Sequence, residues 1–360
     1  MQTLPLTDPE QQPPRQEHPA ASPARVQNLL QSIPEEPEQL ARLRRRHLTS
    51  VLELDPPLVR QLLRPAARYE AGELTDTHPL RCRILSNLFL DRSYCTGRLA
   101  FNAAWLRLGG SMLQFDQNVD QILSRRYAPD EIAELCNNYS DLAVLRTGDS
   151  ETFQDMLPRF RVPVINVGNG SEEHPTHALA DLYLLAKWRP ELLQEDPPES
   201  ERLAIGIVGD PSRTRTLRSF LRLLTLFPKA VDRVVVLQRW DPGFAEGQQE
   251  ELEQAGLQIQ TVREMYTLVT TDMEAARQLV PTLDLVYVHN LQHVNVPRMK
   301  IVEAEALLRP QTMILNPEVQ NEEVANRFND SPHNGYFAQA RGSVYLRMAL
   351  YSAIMGGSKG

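Results

Sequence analysis

Apolar residues along this chain fall into short runs separated by amphipathic stretches of helix length. Arg83-Ile-Leu-Ser-Asn-Leu-Phe-Leu90, Ser111 to Phe115, Asp141-Leu-Ala-Val-Leu-Arg146 and Pro163-Val-Ile-Asn166 are near-continuous apolar runs of strand length. Such runs fit strands buried on both faces. Helical patterns lie among them: Leu48 to Tyr69, with Asp55-Pro-Pro57 fitting a helix start; Arg98 to Leu108, ended by Gly109-Gly110; Ala128 to Tyr139; and Pro175 to Trp188. A polar stretch from Pro190 to Glu201 breaks the rhythm and reads as a connection. A second series follows. Leu203 to Asp210 is a strand running into a turn, Arg215 to Phe227 a helix, Arg233 to Leu237 a strand, and Gln249 to Ala255 lies in a helix. Leu283 to Val288 and Thr312 to Leu315 are further strands, and Gly335 to Gly356 is a long last helix. Strands alternating with helices predict parallel sheets. The fold class expected is α/β, with two doubly wound parallel-sheet domains.

The first 40 residues break this order. They carry eight prolines, from Pro5 to Pro37, with Gln and Glu between them. That composition offers little apolar surface to offset the entropy of ordering, so residues 1–46 are expected to form a disordered tail. A short helix from Val26 to Ile33 is the one element expected there. The remaining division is 47–188, joined by the returning helix 335–357, and 203–334.

Bulk composition narrows the classes. At 360 residues, two domains are the default. A net charge of −8 argues against a general nucleic-acid binder. No apolar run approaches a membrane span, and the N-terminus has no apolar signal core. Cys82, Cys95 and Cys136 are unclustered and lack Cys-x-x-Cys spacing, so neither a disulfide framework nor a zinc site is expected. They read as three reduced, mostly buried thiols of a cytoplasmic protein. The basic residues are almost all arginine; the lysines are Lys187, Lys229, Lys300 and Lys359, so none precedes residue 187.

The segment from Asn166 to Leu182, Asn-Val-Gly-Asn-Gly-Ser-Glu-Glu-His-Pro-Thr-His-Ala-Leu-Ala-Asp-Leu, is the most specific motif. It resembles the N-x-G-D/N-G-x-x-x-H-P-T-Q-A-L-x-D-L segment of aspartate carbamoyltransferases. Further pieces recur in family order: Ile205-Gly-Ile-Val-Gly-Asp210, Arg215-Thr216 with Ser219, Asp284-Leu-Val-Tyr287, Ser331-Pro-His333 and Met348-Ala-Leu350. The resemblance covers about residues 47–357. It implies two domains facing each other across a cleft, no metal or other cofactor, and a homotrimer with sites between subunits.

Carbamoyl transfer from carbamoyl phosphate to an amine needs anion clamps and a polarised carbonyl. The resemblance gives Arg146 to the phosphate and carbonyl, His174 to the carbamoyl oxygen, and Arg215, Thr216 and Gln292 to the amino-acid side. Arg98 and His177 complete the candidate ligand contacts. Other positions depart from the family. Its Ser-Thr-Arg-Thr phosphate loop falls on Tyr94, Cys95, Thr96 and Gly97. Its lysine loop is Ser124-Arg125-Arg126, and Arg and Lys are not equivalent. An aspartate-binding arginine is replaced by Asn290, and its His-Pro-Leu-Pro-Arg loop by Asn316-Pro-Glu-Val-Gln320, which places Glu318 where a dianionic substrate would sit.

Three readings remain. One is a degenerate aspartate carbamoyltransferase-like protein without activity, with a structural or regulatory role beside an active carbamoyltransferase or another protein. The second is an enzyme of the same fold acting on a different amino acid or amine. The third is a working aspartate carbamoyltransferase with compensating residues. A small anionic or amino-acid ligand remains open in the first two.

Overall fold

The computed structural model describes residues 18–74, 78–91, 96–113, 126–237, 243–262, 277–289, 306–316 and 331–356. Of the sequence-based expectations, those for Tyr94, Cys95, Arg125, Asn290, Gln292 and Glu318 lie outside the described residues.

The elements in chain order begin with α1 (Pro23–Ser32) and α2 (Pro56–Glu70), then β1 (Ile84–Phe89), α3 (Thr96–Arg107) and β2 (Ser111–Leu113). They continue with α4 (Pro129–Tyr139), β3 (Leu142–Thr147), α5 (Ser150–Met156), β4 (Val164–Asn169) and α6 (Pro175–Trp188). After the connection come β5 (Leu203–Val208), α7 (Arg215–Leu224), β6 (Val231–Leu237), α8 (Gln248–Gln254), β7 (Ile259–Val262), β8 (Leu285–Val288), β9 (Met313–Leu315) and α9 (Tyr336–Met355). Two sheets form, with strand orders β2-β1-β3-β4 and β7-β6-β5-β8-β9, and every pair is parallel. The fold is thus the α/β arrangement expected, with helices covering two doubly wound sheets.

Local chemistry explains the boundaries. Asp55 caps α2 by accepting from the Leu58 amide at 2.9 Å, and Pro56 fills the first helical position. Residues 48–54 are therefore not helical beyond one 3-10 turn at Val51–Glu53; Leu48 instead bridges to Ile165 beside the first sheet. At the end of α3 the chain turns through Gly109, at φ +80°, into Gly110. A Cβ at Gly110 would lie 2.1 Å from the Trp105 indole nitrogen, so only glycine fits that close approach. Helix α9 returns to pack on α2, α3 and α6.

The N-terminal expectation needs correction. Residues 18–46 are folded. Val26, Leu29, Leu30 and Ile33 are buried in the main core, as is Leu43. Helix α1 packs on α2 and α6. Arg64 on α2 donates to the Leu30 and Ile33 carbonyls, and Arg25 donates to the Trp188 carbonyl at 3.1 Å. The Arg45 amide donates to the Ile354 carbonyl at the end of α9. The apolar spacing i, i+3, i+4, i+7 from Val26 overrides the proline-rich composition around it.

The thiols differ too. Cys136 is buried, and burial pushes it up to about 11, whereas Cys82 is exposed. The expectation of mostly buried cysteines fails at Cys82.

Candidate active site

In doubly wound sheets, ligands gather outside the strand carboxyl ends, where the order reverses. The first sheet reverses between β1 and β3, the second between β5 and β8. Arg146 pairs in register with Phe89, so it stands at the carboxyl end of β3 directly beside the end of β1. His289 follows β8, and the glycine turn at Gly209 follows β5. Arg146, Gly209 and His289 therefore stand at strand carboxyl ends where the sheet orders reverse.

Arg146 is nearly buried, and its Nε donates to Asp91 Oδ2 at 2.6 Å. Arg215, the first residue of α7, sends Nη2 to within 3.8 Å of that same oxygen, while its Nη1 donates to the Gly170 carbonyl at 2.5 Å. Arg98 lies over the Phe89 ring at 4.7 Å, and Arg146 lies 5.9 Å from that ring centre. The structure thus brings Arg146 and Arg215 to one carboxylate, Asp91, with Arg98 beside Arg146 at the Phe89 ring.

The loop after β4 explains its own asparagines. Asn166 accepts from the Gly168 amide and donates to the Thr49 carbonyl and Asn169; Asn169 accepts from the Glu173 amide. Gly168 sits at φ +127°, with the Arg215 guanidinium 2.9 Å from where a Cβ would be. A side chain there would displace the arginine. This loop delivers His174 to the start of α6. His174 does not cap the helix with its ring; its amide donates to Ser219 Oγ of α7 at 2.8 Å. Its Nδ1 meets Thr176 Oγ1 at 3.3 Å, and its ring lies edge-on to His177 at 5.2 Å.

Burial, followed by His177, Arg146, Arg215 and Arg347, holds His174 well below the usual imidazole range. His177 is pushed down to about 3 by burial, then by Arg347 and neighbouring cations. Both rings are neutral at neutral pH. A neutral imidazole still donates one hydrogen bond, which suffices to polarise a carbonyl. His177 Nε2 lies 3.6 Å from Asp181 Oδ1. Asp181 accepts from Tyr287 Oη and Gln339 Nε2, both at 2.8 Å, and burial raises it to about 7. That triangle joins α6, β8 and α9.

Thr216 is buried beside Arg215. Three arginines on one face of α7 meet the 170–173 loop: Arg215 at Gly170, Arg218 at Glu172, and Arg222 at Glu173 (3.0 Å) and Glu251. Glu173 also accepts from Ser50 Oγ and the Val51 amide. The sequence reading missed Asp91, Glu172, Glu173, Arg218 and Arg222. A carboxylate just beyond a strand end was the available signal for Asp91. The spacing 215, 218, 222 was the signal for the arginine stripe.

Thr96 and Gly97 open α3, so a helix N-terminus is present there. Among the described residues, no group of three or more His, Cys, Asp or Glu is placed to hold a metal, and no helix is long and apolar enough to cross a membrane.

Residues 46–187 match the family model described as aspartate/ornithine carbamoyltransferase, carbamoyl-P binding domain. The chain is 30% identical over 296 residues to the aspartate carbamoyltransferase catalytic subunit of Staphylothermus marinus, covering 79% of this chain and 88% of that protein. It is 26% identical over 326 residues to the catalytic subunit from Vibrio campbellii, covering 87% and 97%. Its fold is similar to aspartate transcarbamoylase from Trypanosoma cruzi in complex with carbamoyl phosphate and aspartate. There the TM-score is 0.70 with 25% identity, over 88% of this chain and 98% of that one.

Proposed function

This chain belongs to the aspartate/ornithine carbamoyltransferase family, and from that premise we propose that it is a member silent in carbamoyl-aspartate formation, acting through protein association. The observation that carries this reading is the arginine stripe of α7. Arg215, the candidate for the amino-acid side, is bonded to the Gly170 carbonyl, and Arg218 and Arg222 pair with Glu172 and Glu173 beside it. The face that would receive a dianionic amino acid is occupied by protein acceptors. The sequence adds to this. Tyr94, Cys95, Thr96 and Gly97 lack the family's phosphate-loop arginine, and Asn290 and Glu318 replace or oppose charge on the amino-acid side. Each lost oxyanion-type contact is worth about 3 kcal/mol of transition-state stabilisation, or roughly a hundredfold in rate.

Association is proposed as a homotrimer through the half that holds α3, or with an active carbamoyltransferase. Leu99 and Leu106, seven residues apart on α3, are 69% and 53% exposed, which is unusual for large apolar side chains sharing one helix face. The proposed halves are 47–188 with 335–357, and 203–334.

A second reading, carbamoyl transfer to a different amine, draws on the neutral His174 and on Arg146 beside it. One assay addresses both. Purified protein is incubated with carbamoyl phosphate at millimolar concentration, with aspartate or a panel of amines, and carbamoylated product is measured. The first reading expects no product above the uncatalysed rate with any acceptor. Turnover with aspartate would overturn it; turnover with another amine alone would move the assignment to the second reading.

A further inference from the structure

We propose that residues 18–33 form a brace across the joint between the two halves: seated on the end of α6, they hold the halves at one angle, and their release frees the halves to swing about the joint. Such a brace works whether or not the crevice turns over substrate.

The joint is narrow. The chain passes from the first half to the second through residues 189–202 and returns through residues 331–335 into α9. Halves joined by thin crossings move relative to one another by default. At the return crossing Gly335 is wedged between the halves. A Cβ there would lie 3.0 Å from Met313 Sδ of β9 and 3.2 Å from Leu184 of α6. At the outgoing crossing the contact runs through Trp188, the last residue of α6. Arg189 lies over the Trp188 ring at 5.0 Å and reaches Asp284, just ahead of β8, at 3.4 Å. Asp284 in turn accepts from the Ala204 amide of β5 and from Arg309. Trp188 and Arg189 thus tie α6 to the second sheet.

The N-terminal segment grips the same tryptophan. The buried His18 ring meets the Trp188 ring edge-on at 5.7 Å. Arg25 donates to the Trp188 carbonyl at 3.1 Å, one of the acceptors that a helix end leaves open. His18 Nδ1 accepts from the Ala20 amide at 3.2 Å, a contact that needs a neutral ring. Burial, then His333 and Arg25, push His18 down to about 4. His333 belongs to the return crossing, so one imidazole stands by both crossings. Helix α1 continues onto the turn at Pro190–Leu193. The other end of the segment is fastened to α2 in the first half. Gln61 donates to the Pro34 carbonyl at 2.7 Å and accepts from the Glu36 amide at 3.0 Å, and Arg64 takes the Leu30 and Ile33 carbonyls. One end anchored in a rigid half and the other seated at the joint is the arrangement of a brace. All of it precedes residue 46, where the family match begins, so the matched region does not itself supply this support.

The test uses the full chain. Asn138→Cys on α4 and Gln254→Cys on α8, both exposed, carry nitroxide labels, with Cys82→Ser and Cys95→Ser to remove other reactive thiols. Dilution with unlabelled chain confines the measurement to distances within one molecule. Pulsed dipolar spectroscopy reads the distance between the halves, and hydrogen exchange reads residues 189–194. Wild type is expected to give a single narrow distance. His18→Ala with Arg25→Ala removes the grip on Trp188 and leaves the apolar face of α1 in place; Val26→Asp with Leu30→Asp dislodges α1 outright. Both pairs are expected to broaden the distance distribution about twofold and to speed exchange at residues 189–194 about tenfold, with the protection of both sheets unchanged. Should the aspartate pair fail to fold, the alanine pair decides. A folded alanine pair with the wild-type distribution would overturn the brace. So would broadening accompanied by faster exchange throughout both sheets, which would make the segment an ordinary stabilising layer. Neither result touches the silent-site reading, which carbamoyl-aspartate formation tests separately.

Discussion

Helices α6 and α7 lie side by side and are built to opposite plans. From Pro175 to Trp188 every residue of α6 is buried except the half-buried His177. It is covered by α1, α7 and α9. Its polar groups are paired inside that cover: Asp181 with Tyr287 and Gln339, and Lys187 with Glu70, at 2.8–2.9 Å for each bond. Helix α7 buries one face with Leu217, Phe220, Leu221 and Leu224, and lays Arg215, Arg218 and Arg222 along another against the 170–173 loop. The contrast separates two jobs. Polar groups in α6 are fixed by desolvation, since any unpaired one would be costly. In α7, Arg218 is buried but Arg215 and Arg222 keep 21% and 19% of their side chains exposed, so their pairs are better solvated. One helix is an axle; the other is a seam.

The largest expected effect tests the axle. Lys187→Met leaves Glu70 buried without its cation and should destabilise the fold by about 3–5 kcal/mol in urea unfolding. A loss under about 1 kcal/mol would mean that α6 tolerates unpaired charge and would erase the distinction. Next is the cover over α6. Leu29 in α1 is fully buried, so Leu29→Ala should cost about 3 kcal/mol. A near-neutral result would restore the N-terminal segment to the status of a dispensable tail.

Protonation offers a finer probe. The folded-state value of His177, about 3, lies below its unfolded value near 6.5. Its contribution to stability is present above pH 6.5 and is lost as pH falls toward 3. Asp181 runs the other way: raised to about 7, its contribution is present below pH 3.8 and is lost as pH rises through 7. His18, His47 and His174 are lowered like His177, so acid should destabilise on balance. His177→Gln should flatten the acid limb by about one proton, roughly 1.4 kcal/mol per pH unit at most, between pH 6.5 and 3. An unchanged pH profile would remove His177 from the buried set.

The smallest effect belongs to the seam. Arg222→Ala breaks pairs to Glu173 and Glu251, the latter 40% exposed. The exposed Glu251 pair contributes below about 1 kcal/mol and weakens with salt; Glu173 is buried but keeps the Ser50 hydroxyl and the Val51 amide as donors, so the whole loss is expected at about 1–2 kcal/mol. A loss as large as that of Lys187→Met would make α7 a second axle.

The same contrast shows what could be read from sequence. The strands and α6 were legible because burial on all sides leaves unbroken apolar runs. His174 and Arg215 could be singled out because a motif framed each of them, and Arg146 because it ends a strand of apolar residues. The Lys187–Glu70 pair was not, since its partners are 117 residues apart and only the packing of α2 on α6 joins them. The Asp91 contact depended on strand order, which periodicity does not encode. The N-terminal segment was misread for another reason: proline frequency was weighed above the spacing of Val26, Leu29, Leu30 and Ile33.

That segment has a consequence for how the chain comes to be folded during synthesis. Residues 18–46 leave the ribosome roughly 300 residues before α9, but part of their contact surface belongs to that helix. The Arg45 amide waits for the Ile354 carbonyl, and Leu43 shares a core with Tyr351 and Ile354. The half of the molecule that is translated first is therefore completed last. Until α9 has emerged, the apolar surface at Leu43 lacks part of its cover, a long-range closure of the kind that slows folding.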